Sequence, residues 1–251
     1  MNKRSVIINL STSLQQMCTV TYIPLKNNAF ILTSNRDENP KRKTISPKKY
    51  LENGVEIWYP KDELAGGTWI GTSDQKRVVC LLNGGFKKHD LNPPYKMSRG
   101  TIVKKLLAHK NAVSFINLYH FEGIEPFTIV LVDWNHQLET YELVWDGIVK
   151  HFKKLPQLPR IWSSSTLYTE ETKKLRQKWF KDFLIDHEKT DQDSILNFHQ
   201  NTILGGTENS LKMKRKHVET VSVTSIKKEK KVVMKYLDFV NNQSFYETID
   251  L

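Results

Sequence analysis

The chain has 251 residues, 39% apolar and 26% charged, enough to bury a core in one large domain or two small ones. No apolar run approaches about eighteen consecutive residues, so no membrane span is expected, and the two cysteines, Cys18 and Cys80, cannot build a disulfide framework. The net charge of +11 is scattered over short runs such as Lys41-Arg42-Lys43 with no nucleic-acid module around them, which argues against specific nucleic-acid binding. A cytoplasmic protein is expected, its cysteine usage being compatible with a reducing compartment.

Residues 1–16 begin like a secretion signal, but the apolar run is short, Asn9 breaks it, and no small-residue cleavage site follows. Gln15-Gln16-Met17 also lacks the small residues of a lipoprotein signal. A mis-set start, a removable propeptide and a disordered arm all fit this extension; the first is preferred, with Met17 as the expected start. Removing that methionine leaves Cys18 first.

The alternating run over residues 19–25 predicts a strand, paired through Lys26-Asn27-Asn28 with a second over 29–34. A Pro- and Lys-rich loop is read over 39–49, then strands over 68–72 and 77–82. Ser98 is read as the N-cap of a helix carrying Ile102, Val103, Leu106 and Leu107 on one face. A short helix over 112–119 and a three-strand meander over 127–152 follow. Thr169 caps the clearest helix, with Leu175, Trp179 and Phe183 expected in the core and Phe180 and Leu184 widening that stripe. A helix over 193–202 and a hairpin over 219–239 close the pattern. Strands, then helices, then strands again, with no linker or repeat, predict one α+β domain over 17–251.

Three polar strings interrupt this packing pattern. A cysteine near a chain start is ordinarily a small buried hydrophobe. As the first residue, however, its thiol (pKa about 8.5) sits beside an α-amine of about 7.7 to 8.0, a complete nucleophile-and-base pair. Asn35-Arg36-Asp37-Glu38 ends the second predicted strand, where a hairpin returns it to Cys18. A guanidinium there favours thiolate and a carboxylate can hold the amine, although an exposed turn of self-compensating charges reads equally from the charges alone. Gly66-Gly67-Thr68-Trp69 permits close backbone approach but is no phosphate loop, and Asn83-Gly84-Gly85 reads as a turn or as an oxyanion donor.

Met17-Cys18-Thr19-Val20, Asn-Arg-Asp-Glu, Gly-Gly-Thr-Trp-Ile-Gly, Leu-Asn-Gly-Gly and Ser98-Arg99-Gly100 together resemble the signature series of the NRDE family, which includes the transport-and-Golgi-organisation proteins of eukaryotes. The resemblance is specific over residues 17–100 and looser but continuous from Ile161 onward. It implies a four-layer αββα sandwich of the N-terminal nucleophile hydrolase type, near the bile-salt and penicillin V amidases. It also implies Cys18 as nucleophile, Arg36 as thiolate partner, Asp37 as support for the amine and Asn83 as an oxyanion donor. Ser164 falls where those amidases carry a second Asn, and their late catalytic Arg has no match in residues 220–224.

Hydrolysis of a linear carbon–nitrogen amide through a thioester is therefore the leading expectation, with a small-molecule substrate and no cofactor or metal. The alternative is a non-catalytic binding or trafficking protein, haem- or lipid-related, on the same fold. No Cys-x-x-Cys-His haem attachment site is present. Cys80, three residues before Asn83, is expected to be buried and inert on the other face of its strand.

Overall fold

The structure is a computed structural model that describes residues 17–166, 168–187 and 189–251; the extension over 1–16 lies outside the described residues. Its elements run β1 (Met17–Leu25), β2 (Ala29–Glu38), β3 (Thr44–Glu52), β4 (Val55–Asp62), β5 (Ile70–Ser73), β6 (Arg77–Asn83), α1 (Arg99–Ala108), α2 (Ala112–Leu118), β7 (Phe127–Asp133), β8 (Glu139–Trp145) and β9 (Lys150–Leu155). The remainder is β10 (Arg160–Ser163), α3 (Glu170–Asp186), α4 (Gln192–His199), α5 (Gly206–Asn209), β11 (Glu219–Lys228), β12 (Val232–Asp238) and β13 (Gln243–Ile249).

Two antiparallel sheets pack face to face. One has the order β10-β1-β2-β11-β12-β13; the other is an uninterrupted meander from β3 to β9. β1 lies against β6 across the interface, α1 covers β5 and β6 on one outside, and α3 and α4 cover β10, β2 and β11 on the other. The layers therefore read α, β, β, α. The alternation of β1 explains the arrangement. Cys18, Val20 and Tyr22 join the main core between the sheets, whereas Ile23 joins a second cluster with Phe180, Phe183 and Phe198 beneath the α3–α4 layer.

The expected hairpins and the α1 stripe are present: Ile102, Val103, Leu106 and Leu107 are all buried. Several expectations need correction. Residues 39–49 are not one loop, because β3 starts at Thr44 and pairs with β4; lysine-rich β3 is the edge of its sheet, where charge is tolerated and hydrophobic alternation is weak. β10 and β13 were also not foreseen, being a four-residue strand and an edge strand respectively. On α3 the buried positions are Thr172, Arg176, Phe180 and Phe183, while Leu175 is 46% exposed. The stripe is rotated because a buried Arg176 occupies its centre, and no apolar periodicity signals that. Ser98 is the N-cap of α1 but makes no side-chain capping bond.

Candidate active site

Cys18 stands directly opposite Arg36 in the β1–β2 register, and Met17 opposite Asp37. Alternation then divides the Asn-Arg-Asp-Glu string between two faces. Arg36 points between the sheets, where its Nη2 meets Asp62 Oδ2 at 2.7 Å and its Nη1 donates to Thr44 Oγ1 at 2.7 Å. The guanidinium lies 4.5 Å from the centre of the Trp69 ring, so the Gly-Gly-Thr-Trp string serves to seat the Arg. Gly67 is needed there because a Cβ would come within 2.8 Å of the Gly100 backbone.

The Cys18 thiol is buried, and burial, with Cys80 and Asp37 nearby, raises its pKa well above the ordinary value; Arg36 acts in the opposite direction but does not prevail. In the chain as it stands, Cys18 also follows Met17, so its nitrogen is a peptide N–H and not an amine. Cys80 is buried as expected, with its thiol pushed up to about 12 by burial. It faces the sheet interface, close enough to Cys18 to influence it. Three residues along β6, Asn83 falls on the opposite face, the one from which Arg77 reaches the carbonyls of Leu106 in α1 and of His109 at its C-terminal cap.

Asp37 points away from Arg36, beneath the helices. Its carboxylate accepts from Thr220 Oγ1 at 2.6 Å and Tyr168 Oη at 2.9 Å. A register shift between Thr220 and Ser222 in β11 places Thr220 across from Asp37 and Ser222 across from Arg36, so this bulge serves both faces. Burial lifts the Asp37 pKa to about 6, against the pull of Arg176, its two hydroxyl donors and Arg215.

Ser164 connects Cys18 to Asn83. Its N–H donates to the Cys18 carbonyl at 3.1 Å and its hydroxyl to the Asn83 carbonyl at 2.6 Å. A hydroxyl has one proton, and here it is directed at Asn83, with Thr166 Oγ1 2.9 Å away. Gly84 follows with φ +84°, and a Cβ there would strike Ser165 Oγ. A cleft of about 210 Å³ opens beside Ser164, walled by Leu82, Val144 and Trp162 and reached by Glu142 and Lys173. Among the described residues, no group of three or more His, Cys, Asp and Glu side chains is arranged to hold a metal ion.

Cys18, Arg36 and Ser164 thus meet at the head of β1, but Asp37 lies on the far face of the hairpin, and alternation along β6 turns Cys80, not Asn83, toward the thiol, contrary to expectation. Sequence reasoning missed Asp62, Tyr168 and Arg176. Each reaches the site from a distant element, and none stands in a signature string. Arg99 was visible in Ser98-Arg99-Gly100 but had no role attached.

The sequence profile described as Transport and Golgi organisation 2 matches residues 17–248. The chain belongs to that family. The family match thus covers the signature strings and the looser C-terminal region alike. No curated protein sequence matches the chain. Among solved structures, a variant of the conjugated bile acid hydrolase from Clostridium perfringens is similar at 11% identity over 92% of each chain, with a TM-score of 0.59. The Caenorhabditis elegans orthologue of N-acylethanolamine-hydrolyzing acid amidase is similar at 12% identity over 83% of this chain and 92% of that one, with a TM-score of 0.57. At such identities the likeness is one of fold: this family member has the αββα sandwich of the N-terminal nucleophile hydrolases.

Proposed function

We propose that the chain is a cysteine hydrolase of linear carbon–nitrogen amide bonds, active when Cys18 is the first residue, and that residues 17–251 form its single domain. The observation that carries this reading is the register that sets Cys18 opposite Arg36, with Ser164 tying the Cys18 carbonyl to Asn83. A free amine at Cys18 takes the thiol proton, and the thiolate, favoured by Arg36, attacks the amide carbon. Asp37 supports the amine from its side of the hairpin, whereas Asn83, on the outer face of β6, is held through its carbonyl by Ser164 and is not aimed at the oxyanion. Ser164 holds Asn83 and the head of β1 together. Water then hydrolyses the thioester. The solved neighbours whose names describe amide-hydrolysing enzymes favour this chemistry on the shared fold.

The second reading, a binding protein on the same fold, is favoured by the raised thiol pKa and by the Ser164 proton directed at Asn83. Turnover of an amide panel by protein beginning at Cys18 decides between them. Cys18→Ser should abolish turnover while leaving the fold intact, and Arg36→Lys, which keeps charge but loses the planar fork to Asp62 and Thr44, should reduce it. Activity that survives Cys18→Ser would leave the binding reading as the better one.

A further inference from the structure

Strand register ties the cleft beside Ser164 to the thiol. The Ser164 N–H is bonded to the Cys18 carbonyl, and two residues earlier Trp162 stands opposite Val20. Cys18 and Val20 share the inner face of β1, and Trp162 packs against the same core. Ser164 and Trp162 therefore flank the thiol's face of β1 at the spacing of one neighbouring strand, about 5 Å, and both line the cleft. The facing sheet supplies Leu82 from β6 and Val144 from β8 as its apolar wall. At about 210 Å³ the cleft is smaller than the roughly 300–1,000 Å³ of sites for drug-sized ligands. A cavity of about 150 Å³ holds one benzene ring, so this one has room for a chain of about five carbons but not for a steroid or a long fatty chain.

Two opposite charges, Glu142 and Lys173, reach the cleft, and they are not equally available. Glu142 accepts from the Trp162 indole N–H at 2.7 Å through one oxygen and pairs with Lys153 at 2.7 Å through the other. Its charge is offset and both oxygens are engaged. Lys173 comes from the start of α3, which packs on β10. Among the described residues its ion pair is with Glu170 at 2.7 Å, three residues earlier on the same helix. Glu170 is 73% exposed, whereas the Lys173 side chain is only 19% exposed. Such a pair with a solvated carboxylate is weak, and it uses one of three ammonium donors. Two donors are left for an anion inside the cleft.

We propose that this cleft is the acyl-side pocket of the Cys18 site and that it selects short acyl groups ending in a carboxylate, which Lys173 binds. The acyl-side role rests on the reading of Cys18 as nucleophile; capture of the carboxylate by Lys173 does not. Leu82, Val144 and Trp162 enclose the methylenes. The Lys173 ammonium donates charge-assisted N–H···O⁻ bonds to the terminal carboxylate. Lys173 is thus a specificity-determining residue, remote from the bond that breaks.

The test separates binding from turnover. Glutaryl-p-nitroanilide and hexanoyl-p-nitroanilide have acyl chains of similar length and differ in the terminal charge. Calorimetric binding to the full chain, where Cys18 follows Met17 and has no free amine, should favour the glutaryl anilide about tenfold. Lys173→Met, which keeps most of the apolar stem, should abolish that preference and leave the hexanoyl affinity unchanged. Lys173→Glu should instead favour 5-aminopentanoyl-p-nitroanilide. Protein beginning at Cys18 should release p-nitroaniline from the glutaryl anilide with a kcat/KM about tenfold above that for the hexanoyl one, and Lys173→Met should remove the difference. Equal affinity for the two anilides, binding of neither, or a preference that survives Lys173→Met would overturn the proposal. Equal turnover of both would overturn it too, while leaving the hydrolase reading intact. Lys173-dependent glutaryl binding without any p-nitroaniline release by protein beginning at Cys18 would contradict the hydrolase reading and leave the carboxylate site standing.

Discussion

The two faces of the β1–β2 hairpin are built on opposite principles. The inner face is apolar along Val20, Tyr22, Phe30 and Leu32 and becomes polar only at its end, where Cys18 and Arg36 meet. The outer face is polar along most of its length: Thr19, Thr21, Thr33, Asn35 and Asp37 are all buried beneath the helices. Its groups are paired with one another. Asn35 donates to the carbonyls of His199 and Leu211, Thr21 bonds His199, and Thr33 bonds Ser225. His199, with a pKa pushed down to about 3 by burial and Arg176, is neutral there. A strand of period two thus presents a buried thiol to one side and a fully bonded anchor to the other, so residues far from the thiol hold its strand in place.

The largest expected effect lies on the outer face. Arg176 is fully buried, donates to Thr19 and to the Asn209 and Ser210 carbonyls, and stacks 3.7 Å over Tyr168. Arg176→Leu removes that cation and leaves its acceptors and Asp37 uncompensated. Chemical denaturation should show a loss of about 3–5 kcal/mol. A loss under about 1 kcal/mol would mean that the outer face is held by its aromatic cluster alone.

Asp37 gives the next effect, through pH. Its folded pKa of about 6 is above the ordinary carboxylate value, so the folded state holds its proton longer than the unfolded chain does. The stabilisation this confers is complete below about pH 4 and is lost as pH rises through about 6, a span worth up to ~3 kcal/mol. Asp37→Asn should remove that contribution, so the stability difference from wild type shifts in favour of the variant as pH rises from 4 to 7. A difference independent of pH would place the carboxyl in a less buried setting.

The smallest effect sharpens the rotated face of α3. Leu175 is 46% exposed, and Leu175→Ala should change stability by no more than about 0.5 kcal/mol. A core-sized loss would restore Leu175 to the stripe.

The inner face was largely legible in the sequence. β1, β2, β6 and the turns at Gly67 and Gly84 carry period-two alternation and glycine punctuation, which are local signals. Cys18, Arg36, Asp37, Asn83 and Ser164 could be named because the signature strings resemble a family. The outer face was not legible. Arg176 and His199 sit on helices where a buried charge or ring nitrogen has no periodic signature, and Tyr168 and Thr220 meet Asp37 across 131 and 183 residues of chain. The split of Arg36 and Asp37 onto opposite faces follows from alternation alone, yet the expectation that both converge on the thiol passes over it. In the full chain, desolvation outweighs Arg36 at the buried Cys18 sulfur; the lowering expected of protein beginning at Cys18 concerns a different N-terminus.

Competitive thiol labelling tests the central claim most directly, on the full chain and on protein beginning at Cys18. In the full chain, Cys18 and Cys80 both have raised thiol pKa values and should label slowly at neutral pH. In protein beginning at Cys18, the free amine and Arg36 should make Cys18 react well ahead of Cys80. Equal labelling of the two thiols in protein beginning at Cys18 would contradict the account.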